Sequence, residues 1–239
     1  MKILFTTISL LFVMLATAQT KVYNDPAAKQ REVSGSFNKI SVGSGVYLYL
    51  TQGDENAIAV SVSDEKYESG FKTEIVDGTL KIYYDNGSKV WKNDNNRKLK
   101  AYVSYKTINA LDCSSGSSTT LTNPLKTSSL ALSFTSGCVF TGQVDATDAT
   151  AEVNSGAMVN VSGKLESLTL DANSGGNFKG NDLTTNVCTA TVSSGAAIGI
   201  RVEKQLTASA NSGGQIRYTG PANLIRGKVN SGGEVKHDS

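Results

Sequence analysis

The feature that most constrains this chain is a Ser-Gly pair, followed by a small residue, that recurs seven times in its second half. Successive glycines are separated by 21, 19, 19, 20, 18 and 19 residues. A period of about 19 residues is typical of proteins that fold by stacking one repeat on the next. The glycines of the pair are Gly116, Gly137, Gly156, Gly175, Gly195, Gly213 and Gly232.

Aligned on these glycines, the repeats place apolar residues two positions apart, with polar residues between them. This alternation predicts strands with one buried face. The column seven residues before the glycine is Asn109, Leu130, Ala149, Leu168, Cys188, Leu206 and Ile225. The column three residues before it is Cys113, Phe134, Val153, Ala172, Val192, Ala210 and Val229. The column three residues after it is Thr119, Phe140, Val159, Phe178, Ile198, Ile216 and Val235.

Each repeat therefore contains a strand, a sharp turn and a second strand. It is too short for a crossover through a helix, and no helical periodicity separates the strands. The sequence predicts an all-β protein, a parallel β-helix or closely related β-solenoid, with the apolar columns stacked inside. The repeated Ser and Asn at the turn are typical of turn chemistry. The alternative is that this polar ladder is itself a ligand surface.

The three cysteines are not expected to form a disulfide. Cys113 and Cys188 fall in different inward columns, four repeats apart, and Cys138 follows a turn glycine. At about 4.8 Å per repeat, the separations exceed the Cα distance that a disulfide allows. We expect all three to be small buried apolar residues.

The N-terminal residues resemble an export signal. A lysine, an apolar run and an Ala-Thr-Ala site occupy residues 1–18, which is the pattern of a cleaved signal peptide. Residues 19–32 are expected to be a flexible leader. No later apolar run is long enough for a transmembrane helix.

Residues 33–239 are predicted to form one β-helix domain in two parts. Residues 33–108 contain alternating runs without a clear 19-residue register, and are expected to be irregular N-terminal strands that cap the core. Asp77-Gly78 between two of these runs is a hairpin signal. Residues 109–239 contain the seven Ser-Gly repeats.

One segment of the first part has the composition of a binding loop. Between residues 89 and 100 it carries Trp91, the only tryptophan, close to Lys92 and Arg97. An exposed tryptophan beside amides and cations can stack on a sugar ring or a partner. These three residues are the candidate binding residues, and the alternative is a hairpin loop anchored by one aromatic residue.

Several segments resemble a known family. They are residues 36–42 (SFNKISV), 78–82 (GTLKI) and 214–221 (GQIRYTGP), together with the Asn-Ser-Gly repeats. In order and spacing they resemble the family of the putative auto-transporter adhesin, head GIN domain. The resemblance runs from about Phe37 to about Val235. It implies a right-handed, single-stranded β-helix on exported proteins of Bacteroidetes-type bacteria, and it transfers no catalytic residues.

Residues for common catalytic chemistry are scarce. His237 is the only histidine, which argues against histidine-based nucleophile pairs and metal clusters. No dinucleotide, phosphate-loop or Cys-x-x-Cys motif occurs. We predict no catalytic residue, metal or cofactor. Glu152 and Asp171 should stand outward on adjacent repeats, where they could bind a cation or act as an acid and nucleophile, although a solvated pair is the simpler interpretation.

The favoured function is that of an exported, non-enzymatic β-solenoid, an adhesin or binding protein for surface glycans or protein partners. The alternatives are a glycan-active hydrolase or lyase that uses outward carboxylates, and a structural component of the cell envelope. The net charge of +2 includes Lys2 of the signal, so the mature chain is expected to be near neutral. A near-neutral chain implies no nucleic-acid partner. The expected location is the periplasm, the outer-membrane surface or the medium. Open solenoid ends also allow self-association.

Overall fold

A computed structural model of the chain describes residues 23–32, 34–87 and 96–238. These residues form one continuous sheet of seventeen strands and a short 3-10 turn, Glu65–Tyr67. The strands are β1 (Lys29–Arg31), β2 (Lys39–Val42), β3 (Tyr47–Gln52), β4 (Ala57–Val62), β5 (Phe71–Val76), β6 (Thr79–Tyr84), β7 (Leu99–Tyr105), β8 (Ala110–Cys113), β9 (Ser118–Leu121), β10 (Leu125–Phe134), β11 (Val139–Val153), β12 (Met158–Ala172), β13 (Asn177–Val192), β14 (Ala197–Ala210), β15 (Gln215–Thr219), β16 (Asn223–Val229) and β17 (Glu234–His237).

The repeats stack as the sequence predicts. From β8 onward every strand pairing is parallel. Phe140 lies opposite Val159, which lies opposite Phe178, and all three side chains are buried. The predicted β-solenoid is therefore confirmed, and each coil of strand, turn and strand is called a rung below.

The Ser-Gly turns form a hydrogen-bonded ladder along one corner. Ser155 and Gly156 have φ angles of 52° and 72°, and two left-handed central residues are the mark of a type I′ turn. The Gly156 N–H donates to the Ser174 carbonyl at 3.1 Å, and the same bond links each turn to the next. The ladder therefore runs through the backbone, while the buried side-chain oxygen of Asn154 accepts no bond within the described residues.

One predicted column, the one seven residues before the glycine, is wrong in the last repeat. Leu224, not Ile225, lies opposite Leu206, because the register between β14 and β16 shifts by one residue between Ala208 and Ala210. Ile225 is consequently 43% exposed. Val229 keeps its predicted place opposite Ala210 but is 38% exposed, since no described strand covers this end of the core.

The first part of the chain contains an eighth turn of the same kind. Ser44 and Gly45 have φ angles of 57° and 72°, and the Gly45 N–H donates to the Ser115 carbonyl. The rung made by β2 and β3 lies directly against the rung made by β8 and β9. On its other side it pairs with β6 and β7. The alignment of the repeats did not include this turn, because 71 residues separate Gly45 from Gly116, the next glycine of this kind.

The N-terminal end of the core is covered by antiparallel strands. β5 pairs with β6 through the predicted hairpin at Asp77-Gly78, and β4 pairs with β7. The side chains of Phe71, Tyr105 and Ile58, which belong to β5, β7 and β4, are buried. This is the irregular N-terminal β region that the sequence predicts.

The described part of the expected leader lies on this sheet. Lys29–Arg31 form β1, which pairs antiparallel with β4, and the Arg31 guanidinium donates to the Phe71 carbonyl at 3.0 Å. Residues 29–31 are therefore part of the folded domain. The predicted signal, residues 1–18, lies outside the described residues. In the part of the chain that is described, no helix is long and apolar enough to cross a membrane.

All three cysteines are free and buried, as predicted. Burial raises the pKa of the Cys188 thiol to about 12, and it also raises the pKa values of Cys113 and Cys138. The thiols therefore stay protonated and unreactive at neutral pH.

Candidate functional site

A recess crosses three consecutive rungs on the outer face of the strands that follow the turns. It has a volume of about 550 Å³ and is called the outer groove below. It is lined by Thr141, Gly142 and Gln143 of β11, Asn160, Val161 and Ser162 of β12, and Lys179, Asn181 and Asp182 of β13.

An extra residue shapes the recess, and two glycines lie behind it on the core side. A Cβ on Gly142 would come within 2.5 Å of the buried Leu121 side chain, and one on Gly180 within 2.6 Å of the buried Phe178 ring, so both positions face the core. Between Asn160 and Ser162 the register with β13 shifts, so that Gly180 and Asn181 together face Val161. This bulge re-aims the side chains of Asn181 and Asp182. The repeat from Gly175 to Gly195, which spans 20 residues instead of 19, is its sequence signal.

The polar side chains of the groove are available to a ligand. Gln143 Nε2 donates to Asp145 Oδ2 at 3.3 Å. The side chains of Asn160, Lys179 and Asn181 make no hydrogen bond or ion pair to any described residue. Amide, hydroxyl and ammonium groups that face a recess can donate and accept hydrogen bonds with a polar ligand.

One edge of the groove is bordered by the Asn181 side chain, and an exposed apolar residue stands near another. The Asn181 side chain covers Gly199 on the next rung, where its Oδ1 lies 2.7 Å from the position of an added Cβ. Met158, two residues before Asn160 on the same strand face, is 49% exposed and lies opposite Val139. The groove therefore combines hydrogen-bonding groups with an apolar margin.

The predicted binding residues lie elsewhere. Arg97 packs its guanidinium over the Tyr84 ring, 4.4 Å from the ring centroid, at the end of β6. Arg97 does not line the outer groove. Trp91 and Lys92 lie outside the described residues, and the binding role of all three residues stays a prediction.

Glu152 and Asp171 lie opposite each other on adjacent rungs, as the alignment predicts. Both are exposed, on the strands that precede the turns, and neither lines the outer groove. Asp112 lies in the same column, two rungs from Glu152. Burial raises the pKa of Asp112, and the charge of Glu152 adds to this rise. Within the described ranges, no three acidic, histidine or cysteine residues are grouped so that they could hold a metal ion.

The groove escaped the sequence analysis because its residues are ordinary surface types. Asn, Thr, Ser and Lys between apolar positions indicate only an outward strand face. The recess lies at the bulge between Asn160 and Ser162, and this bulge belongs to no column that all repeats share.

Three solved structures of similar fold come from Bacteroides and Parabacteroides species. A putative adhesin from Bacteroides fragilis has a TM-score of 0.76 and 18% sequence identity, over 88% of this chain and 96% of that one. A putative adhesin from Parabacteroides merdae has a TM-score of 0.69 and 15% identity, over 90% and 98% of the two chains. A putative lipid binding protein from Parabacteroides distasonis has a TM-score of 0.62 and 16% identity, over 89% and 96%. At these identities the likeness shows the fold alone.

No curated protein matches the sequence. A family model does match, over residues 36–222, which covers most of the repeats and the N-terminal rungs. The chain belongs to the family described as putative auto-transporter adhesin, head GIN domain.

Proposed function

We propose that this protein is an exported, non-enzymatic binding protein of the adhesin type, and that its outer groove binds a surface saccharide. The observation that carries the proposal is the set of polar side chains that face the recess on three consecutive rungs. Among them, Asn160, Lys179 and Asn181 have no partner among the described residues. Saccharides offer many hydroxyl groups and apolar ring faces. The amides of Asn160 and Asn181 suit the hydroxyls, and the margin at Met158 suits a ring face.

The charge of the groove supports a binder over a glycan-cleaving enzyme. A glycosidase uses two carboxyl groups on either side of the bond it cleaves, whereas Asp182 is the one carboxylate among the groove-lining residues. Glu152 and Asp171 form a pair, but they stand on an exposed face and not among the residues of the recess. The predicted export signal at residues 1–18 and the family's adhesin description support a location outside the cytoplasm.

The proposal is tested by a glycan array with the mature protein and three variants. We expect the Asn160→Ala/Asn181→Ala double variant to lose at least about tenfold in affinity for the glycans that the wild type binds. The matched control is Glu152→Gln/Asp171→Asn, which removes two charges from a different face and should bind as the wild type does. The Trp91→Ala variant tests the predicted loop site in the same assay.

Each outcome has a distinct meaning. Loss of binding in the Glu152/Asp171 variant alone would favour the carboxylate face and the enzyme. Loss in Trp91→Ala alone would move the site to the loop at residues 89–100. If the wild type binds no glycan, the saccharide ligand is wrong and a protein partner becomes the next candidate.

A further inference from the structure

The outer groove continues in one direction as a straight row of outward side chains. Thr141 lies opposite Thr120, and Thr120 lies opposite Tyr49 on the β2–β3 rung. Tyr49 in turn lies opposite Tyr102 of β7. At about 4.8 Å per rung, the row from Tyr49 to Asn160 spans about 14 Å.

A second outward row runs beside the first and also begins at a tyrosine. Tyr47 lies opposite Ser118, which lies opposite Val139 and then Met158. Tyr47 is 45% exposed. Between the tyrosines and the groove stand the small side chains of Ser118 and Thr120, so no large side chain of these two rows blocks the path between them.

The tyrosine end of this surface is rigid. The ring of Tyr49 stacks on that of Tyr102 with centroids 5.1 Å apart, and Tyr23 stacks on the other face of Tyr102 at 5.2 Å. The Tyr102 hydroxyl donates to Asp25 Oδ2 at 2.8 Å, and Lys100 Nζ lies 3.5 Å from the same oxygen. Because these contacts hold the ring of Tyr49, little side-chain entropy is lost when a ligand packs on it.

We infer that the outer groove is one half of a longer site for a linear saccharide chain, and that Tyr47 and Tyr49 form an aromatic platform for the other half. This inference rests on the proposed saccharide function. On the other side of the groove the Asn181 side chain lies over Gly199, whereas small side chains lead toward the tyrosines, so we expect a bound chain to extend in that direction. A linear chain matches the straight rows, because its successive rings meet amides and hydroxyls at one end and an aromatic surface at the other.

The test is the dependence of affinity on chain length. The probes are linear oligosaccharides of about two to six units, from β-1,4-linked glucose, β-1,4-linked N-acetylglucosamine and α-1,4-linked glucose series, with single sugars and branched glycans on the same array. We expect the mature protein to bind the longest members of at least one series about tenfold more tightly than the shortest. Tyr47→Ala should remove this gain and leave the affinity for the shortest bound member unchanged.

Two further variants guard against trivial explanations. Val187→Ala truncates an apolar side chain that is 39% exposed on another part of the sheet, and it should keep the chain-length gain. Tyr47→Phe keeps the aromatic ring and should also keep it. Because Tyr47 is largely solvent-exposed, its replacement by Ala should leave the thermal midpoint of unfolding near that of the wild type.

The inference and the proposed function fail in different ways. One outcome is that glycans bind, that the groove variant loses this binding, and that affinity does not depend on chain length. In that case the linear-chain inference is wrong and the proposed function stands. A chain-length gain that survives Tyr47→Ala also overturns the inference. If no glycan binds the wild type, both are wrong.

Discussion

The two ends of this solenoid are built in different ways. At the N-terminal end β5 pairs antiparallel with β6, β4 with β7 and β1 with β4, and Phe71 of β5 and Ile58 of β4 are buried. At the C-terminal end β16 pairs only with β14 among the described strands, and β17 only with β15. All seven residues of β16 are exposed or partly exposed. Among the described strands, the stacked core is therefore covered at its N-terminal end and uncovered at its C-terminal end.

This difference shows that the regular repeat cannot close itself. Each rung offers a row of unpaired backbone groups to the next, and a sheet edge invites pairing unless it is covered or charged. The N-terminal edge is covered by strands that leave the 19-residue pattern. The C-terminal edge carries Arg226, Lys228 and Lys236, and such cations discourage edge pairing.

The largest expected effect tests whether the N-terminal strands belong to the same core as the coils. Phe71 of β5 and Phe140 of β11 are both fully buried. Replacement of either by Ala should lower the free energy of unfolding by about 3 to 5 kcal/mol. Denaturant titration measures both. A loss below about 1 kcal/mol for Phe140 would contradict the stacked columns, and the same result for Phe71 alone would make the N-terminal strands a separate, weakly attached layer.

A smaller effect compares an internal turn with the last one. Gly137 and Gly232 have φ angles of 70° and 76°, where any Cβ causes strain. The Gly137 N–H is bonded to the Ser155 carbonyl, so this turn is held in place. Gly137→Ala should lower the free energy of unfolding by about 1 kcal/mol or more. Gly232→Ala should lower it by less, since no described turn follows the turn at Gly232. Equal costs in thermal unfolding would show that both turns are held equally.

The N-terminal end should also respond to acid. The hydrogen bond from Tyr102 lowers the pKa of Asp25 below its ordinary value. The Asp25 carboxylate therefore contributes to the stability of the folded state. Its contribution is fully present above the ordinary carboxyl pKa of about 3.9 and is lost as the pH falls through the lowered pKa. Asp25→Asn should therefore be less stable than the wild type at pH 7, and the difference in melting temperature should narrow below about pH 4.

The surface variant Asp171→Asn is the control for this acid series. Asp171 stands on an exposed strand face, where it makes no hydrogen bond or ion pair to any described residue. A difference between Asp25→Asn and the wild type that stays constant down to about pH 2 would contradict the role of the Asp25 carboxylate.

The smallest expected effect lies at the open end. Ile225→Ala should change the free energy of unfolding by no more than about 0.5 kcal/mol, because the side chain is exposed where the repeat alignment alone would bury it. The same denaturant titration decides this. A loss comparable to that of Phe140→Ala would mean that Ile225 is covered in solution, by a second copy of the chain for example, and light scattering would then detect the larger particle.

The sequence predicts the regular coils well because their cause is local. Apolar residues at fixed offsets from a Ser-Gly turn, as at Phe140 and Phe178, can be buried together only if the rungs stack. The prediction failed where a long-range event decides the structure. The turn at Ser44-Gly45 has the same chemistry, but its partner rung lies 71 residues away. The last described rung shifts its register by one residue, which the spacing from its glycine does not indicate.

The outer groove was not predictable from composition for a related reason. Asn160 and Asn181 occur at outward positions, where polar residues carry no information about shape. Only the 20-residue spacing of one repeat indicates that its strand contains an extra residue. A bulge can be inferred from such a spacing, but the shape of the surface around it cannot.

The placement of the β2–β3 rung between two later rungs has a consequence for how the protein matures. Its neighbours on both sides, β6–β7 and β8–β9, follow it in the chain, so this early segment has no complete template until residue 121 has been made. Closing so long a loop is entropically costly, whereas each later coil adds to a finished one at short range. We therefore expect assembly to wait at this step and then to proceed coil by coil toward the C-terminus.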